Sequence, residues 1–238
     1  MRITVFFVIF IVAGSAFGQS RQTFELFENG MAASRSGDHQ QALGKFEQTL
    51  VRGRHENAGR KFLTKVHYNL GVSRFHLGQL EQAVVDFETA IFFTNNRYEK
   101  ASYALGLTLS ELGDYPKAER AFLDVLAVNK QNAEAWFDLA FIHLNRKEYD
   151  SAEAAFAKAI RFGTVDNAIG HNNLGVLLVI KGDLPAAERH FRKAITSSSG
   201  TFEGAVMNLE RCRNIINGRE KLLAIADFTF TRGRSKNI

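Results

Sequence analysis

Small and aromatic residues recur along the chain in a fixed frame. The segments "GDHQQALGKFEQTL" (37–50), "GQLEQAVVDFETAI" (78–91), "GDYPKAERAFLDVL" (113–126), "KEYDSAEAAFAKAI" (147–160) and "GDLPAAERHFRKAI" (182–195) each carry an alanine, a phenylalanine four positions later and a third residue three later. The triplets are Ala42/Phe46/Thr49, Ala83/Phe87/Ala90, Ala118/Phe122/Val125, Ala152/Phe156/Ala159 and Ala187/Phe191/Ala194. Steps of four and then three stay on one face of an α-helix, so each segment predicts an amphipathic helix. The phenylalanines advance by 41, 35, 34 and 35 residues, a period that signals a helical array.

A second predicted helix precedes each of these. In "HYNLGVSRFHLG" (67–78), "SYALGLTLSELG" (102–113), "WFDLAFIHLNRK" (136–147) and "HNNLGVLLVIKG" (171–182), leucine comes before glycine or alanine, at Leu70/Gly71, Leu105/Gly106, Leu139/Ala140 and Leu174/Gly175. The first copy, "LFENGMAASRSG" (26–37), keeps Gly30 and Gly37 but has Asn29 in place of leucine. Each unit therefore reads as helix, short turn, helix. Glycine at the turn suits a helix C-terminus, and the following aspartate can accept from free N–H groups of the next helix. The only two prolines, Pro116 and Pro185, stand 69 residues apart at one place in this frame. That place is the first turn of the second helix, where a fixed φ helps and a missing N–H costs nothing.

The frame resembles the tetratricopeptide repeat, with Leu-Gly at positions 7 and 8, a small residue at 20, phenylalanine at 24 and alanine at 27. Only Trp136 supplies the large aromatic of position 4. His67, Ser102 and His171 depart from it, as does the lack of proline late in each unit. The resemblance covers residues 23–199, with units near 23–56, 64–97, 99–132, 133–166 and 168–199. A further helix over 200–217 is expected to cap the array, and a basic tail over 218–238 is expected to start helical and end frayed. A seven-residue excess around "RGRHENAGRK" (52–61) predicts a longer loop or an extended helix end. Its basic residues suit an anion site or a solvated loop.

What the resemblance implies is an all-α, right-handed solenoid of about five units whose first helices line a concave groove. Carried onto this chain, the family's groove positions give Arg35, Lys65, Asn69 and Lys100 in the first three units, Glu134, Asp138 and Phe141 in the fourth, and Asn173 and Val176 in the fifth. The implied groove is basic early, acidic in the middle and apolar at its far end. Asn69 and Asn173 stand out because a carboxamide both donates and accepts, so it can hold an extended peptide by its backbone. The alternative is that they cap or bond neighbouring helices. Lys65, Asn69 and Lys100 echo the family's carboxylate clamp, but Ala104 stands where that clamp has arginine, and no such clamp is expected.

Composition changes this picture in three places. Arg2, the apolar run "ITVFFVIFIVA" and the small residues around Ala16-Phe17-Gly18 predict a secretory signal over 1–18, cut before Gln19 and leaving an exported, periplasmic or secreted chain; the alternative is an uncleaved membrane anchor. The single cysteine, Cys212, rules out an intramolecular disulfide and reads as a packed small hydrophobe on a late helix. A formal net charge of +5 is spread over many segments, a mild bias that gives no reason to expect nucleic acid as a partner.

Catalysis is not expected. The sequence contains no HExxH, CxxC, GxSxG or Gly-rich phosphate loop, and its seven histidines are scattered. His67 and His171 take the place Trp136 fills in its unit and read as buried ring substitutes. No cofactor or metal is expected. The leading reading is an exported non-catalytic scaffold that binds a protein or extended peptide in its groove within a cell-envelope assembly. The other is a surface adaptor whose tail (Arg219, Lys221, Arg232, Arg234, Lys236) contacts anionic lipid or wall polymer.

Overall fold

The computed structural model describes residues 20–163, 167–219 and 228–232. The expected signal over 1–18 lies outside them. Among the described residues every regular element is an α-helix: α1 (Arg21–Arg35), α2 (His39–His55), α3 (Arg60–His76), α4 (Leu80–Phe93), α5 (Glu99–Glu111), α6 (Tyr115–Val128), α7 (Ala133–Asn145), α8 (Tyr149–Phe162), α9 (Asn167–Ile180), α10 (Leu184–Ser197) and α11 (Glu203–Ile216). The fold is an all-α solenoid of paired helices closed by the capping helix α11. The chain divides into two compact units, Met1–Asp124 and Val125–Ile238, the division falling within α6.

One interlock repeats inside the hairpins. Phe46, Phe87, Phe122, Phe156 and Phe191 are all fully buried. Four of these rings press on a glycine of the preceding helix. A Cβ built on Gly30, Gly71, Gly106 or Gly175 would stand 2.6–2.7 Å from Phe46, Phe87, Phe122 or Phe191. Glycine is thus what lets the ring reach the backbone of its partner helix. In the fourth unit Ala140 takes this place, fully buried, and the Phe156 ring meets Phe137 and Phe141 edge-on at centroid distances of 5.6 Å.

The turns also share one geometry. The N–H groups of Asp38, Gln79, Asp114, Glu148 and Asp183 donate to carbonyls five residues back, at 2.9–3.0 Å, the longer bond of a Schellman motif. That motif needs a left-handed residue, supplied by Gly37, Gly78, Gly113 and Gly182 at φ between 74° and 83°. Lys147 stands in their place at φ 60°. Asp38, Asp114 and Asp183 then accept from Gln41, Lys117 and Ala186 N–H, capping the second helix of each hairpin. Pro116 and Pro185 are the second residues of α6 and α10.

The seven-residue excess is helical. α2 and α3 each have 17 residues, against 14 in α4 and 13 in α5, so the extra residues lengthen both helices and leave a short Glu56–Gly59 link. Glu56 ties that link to the start of α1, accepting from Ser20 N at 2.7 Å and Ser20 Oγ at 2.8 Å.

Candidate peptide-binding site

In the first unit the implied groove residues remain separate surface groups. Arg35 is the exposed last residue of α1, and Lys65 and Lys100 are exposed on α3 and α5. Asn69 donates its amide to the Lys65 carbonyl of its own helix at 2.7 Å. Close by, His67 is buried and makes a 2.9 Å bond through Nδ1 to Asp86 Oδ1, while Asp86 Oδ2 takes Arg74 at 2.5 Å. The imidazole at this position is therefore a polar core ring, fixed by a carboxylate from α4.

The second unit holds a different arrangement, built on α7, α9 and α11. The interior of α9 is nearly all apolar, yet Asn172 and Asn173 sit at its centre with no exposure, and Asn208 of α11 is 1 % exposed. Buried carboxamides need partners. Asn208 Nδ2 donates to Asn172 Oδ1 at 2.9 Å. Asn172 Nδ2 also lies 3.5 Å from Asn173 Oδ1, and further partners come from the chain's own residues 228–232.

Asn173 grips the backbone of one residue with both ends of its carboxamide. Nδ2 donates to the Thr231 carbonyl at 2.7 Å, and the Thr231 N–H donates to Oδ1 at 2.8 Å. Two residues earlier, the Thr229 carbonyl accepts from Asn172 Nδ2 at 3.4 Å and Asn208 Nδ2 at 3.5 Å. The intervening side chains are aromatic. Phe228 is buried and stacks on Phe191 with centroids 6.1 Å apart, and Phe230 meets Phe141 edge-on at 6.3 Å. The Arg232 guanidinium stands 5.2 Å from the centre of the Phe141 ring, a cation–π contact. Backbone contacts at alternate residues with rings between them are the pattern of an extended strand.

Of the residues implied by the resemblance, this segment brings together Phe141 and Asn173. Val176, nearly fully buried, belongs to the hydrophobic core that includes Phe228. Glu134 is exposed on α7 and Asp138 is half-buried. Sequence reasoning missed Asn172, Asn208, Phe228 and Phe230. Their signal was present in two places: adjacent asparagines inside the most apolar helix, and the period-two run "FTFTR" in a chain otherwise of helical period. Of the expected tail, 220–227 and 233–238 lie outside the described residues.

Other chemistry is sparse. Cys212 is fully buried on α11 with Sγ 3.5 Å from the Leu184 carbonyl, and burial pushes its thiol up to about 11. His171 Nδ1 lies 3.1 Å from His190 Nδ1, and burial lowers both imidazoles. Among the described residues no three His, Cys, Asp or Glu side chains gather as metal ligands, and no helix is long and apolar enough to cross a membrane.

Comparison with known proteins agrees with this architecture. Family models described as tetratricopeptide repeat match residues 64–91 and 103–167. No curated protein matches the chain in sequence. Among solved structures, MamA 41-end from Desulfovibrio magneticus superposes with a TM-score of 0.68 at 22 % identity, over 77 % of this chain and 99 % of that one. A tetratricopeptide repeat protein from Parabacteroides merdae gives 0.69 at 19 % identity, over 90 % and 81 %. A thermophilic TPR protein from Thermus thermophilus gives 0.55 at 18 %, over 80 % and 98 %. At these identities the likeness concerns the fold alone. The fold of this chain is that of the tetratricopeptide repeat.

Proposed function

We propose that the protein is an exported, non-catalytic scaffold that binds a protein or extended peptide on the groove face of its repeats, within a cell-envelope assembly. The observation that carries this reading is the two-ended grip of Asn173 on the Thr231 backbone. A carboxamide that reads N–H and C=O of one residue recognises a main chain irrespective of its side chains. Export rests on the apolar N-terminal run and the small residues before Gln19.

The test is affinity capture from envelope extract with the tagged full chain, against an Asn173→Ala variant shown by circular dichroism to be folded. A discrete protein retained by the wild type at low and high salt, and lost by the variant, is the expected result. Equal behaviour of the two, with everything stripped by salt, sinks the groove reading and leaves the basic tail as the contact surface. Export is checked separately by N-terminal sequencing of the purified protein. A chain starting at Gln19 supports export with cleavage, and one starting at Met1 rules out the cleaved signal.

A further inference from the structure

The peptide-binding face of the second unit already holds a peptide, and that peptide is part of the same chain. Its mode of binding is informative. The polar contacts of Phe228–Arg232 with α9 and α11 are all made through main-chain atoms, at Thr229 and Thr231. Selectivity is left to three side chains: Phe228 against Phe191, Phe230 against Phe141, and Arg232 over Phe141. Thr229 is exposed. The fit is incomplete in one respect. Asn208 Oδ1 is buried without a hydrogen-bond partner while the segment is in place, so a peptide offering a donor there gains a bond that the resident segment does not make.

We propose that Phe228–Arg232 is a resident ligand of this site, displaced by clients that share its form: an extended peptide with aromatic residues two apart, small polar residues after each, and a basic residue at the end. The proposal rests on the peptide-binding reading above and adds to it the class of ligand and a built-in competitor. The segment is joined to α11 through residues 217–227, so it competes intramolecularly. A short tether gives an effective concentration on the order of 1 mM. A segment with an intrinsic Kd of roughly 10–100 µM would then fill the site about 10- to 100-fold over the empty form, and an incoming peptide's apparent affinity would fall by the same factor.

The test uses the full chain and a fluorescein-labelled peptide with the sequence of residues 226–235. Thr231→Pro removes the N–H that Asn173 accepts, and Phe228→Ala with Phe230→Ala removes both rings from the resident segment. The triple variant should bind the labelled peptide about 10- to 100-fold more tightly than wild type. Adding Asn173→Ala to it, or replacing both phenylalanines of the peptide by alanine, should abolish binding. Equal affinity for wild type and triple variant, or no binding by the triple variant, overturns the proposal.

Because the tail rings also pack on the core, hydrogen exchange on the wild type supplies a second measurement. Exchange of the Thr231 amide should accelerate on adding saturating peptide while the amides of α9 do not. A Thr231 amide indifferent to peptide shows a permanent core strand and overturns the proposal. A client whose capture depends on Asn173 yet is unchanged by the tail substitutions leaves the scaffold reading standing and removes this one alone.

Discussion

A Cβ placed on Gly71 would stand 2.6 Å from Cε1 of Phe87, so the two residues are a matched pair: the ring occupies the space a side chain would need. Two effects oppose each other in Gly71→Ala. Alanine favours the helix by about 1 kcal/mol, whereas forcing a methyl into a packed ring costs about 1–3 kcal/mol. Because Phe87 has no exposure, overpacking should win. Urea unfolding is expected to show a net loss of about 1 kcal/mol, largely recovered when Phe87→Leu is added. A neutral or stabilised single variant would refute the matched-pair account.

Lys147 predicts the reverse sign. It is exposed and holds φ 60° at a turn where the other units have glycine. A left-handed conformation costs a non-glycine residue about 1–2 kcal/mol, part of which the looser unfolded chain of glycine offsets. Lys147→Gly should stabilise the protein by roughly 0.5–1 kcal/mol, read as a rise in unfolding midpoint at unchanged slope. A lower midpoint would contradict it.

Asp86 accepts from both His67 and Arg74 while only 3 % exposed. Its removal strands a buried imidazole and leaves Arg74 with only the exposed Glu47, 3.1 Å away, as a partner. Asp86→Ala should destabilise by about 3 kcal/mol, and His67→Phe, which restores an apolar ring at this place, by much less. If Asp86→Ala and a substitution of exposed Glu47 cost the same, the network has no special weight.

The His171–His190 contact needs one ring nitrogen to donate and the other to accept, so at least the accepting imidazole must be neutral. Burial is the first cause of the lowering in both, and His190 is pushed down to about 4. The folded state thus binds fewer protons than the unfolded state between about pH 4 and the ordinary histidine value of about 6.5. The stability this neutral pair contributes is complete above about 6.5 and lost as pH falls towards 4. Since carboxylates titrate in the same window, the readout is the difference between wild type and His190→Gln, whose stability should fall less steeply across it. Parallel curves would show that the pair does not titrate as the geometry demands.

The helical frame was legible because it is written in spacing. Ala42/Phe46, Ala187/Phe191 and their counterparts state a helix face and a repeat at once, and Pro116 and Pro185 mark helix starts that the folded chain keeps. The site was legible only in part. Asn69 and Asn173 are the same residue at the same repeat position, and sequence gives no means to separate them. What separates them is a partner: Asn69 bonds to its own helix, whereas Asn173 meets Thr231 from 58 residues away. The run "FTFTR" carries a strand's alternation over only five residues, too few to stand out against a helical array.

The long second and third helices also bear on how such an array tolerates insertion. Three or four residues amount to one α-helical turn of 3.6, and α2 and α3 each exceed their counterparts by that much. An insertion shared as one turn per helix returns both apolar faces to nearly their former phase, so Phe46 and Phe87 still meet Gly30 and Gly71 in the same way. Length can therefore be added to a hairpin in whole turns without disturbing its neighbours, and each added turn raises a new ridge of solvent-facing positions on which selection can act.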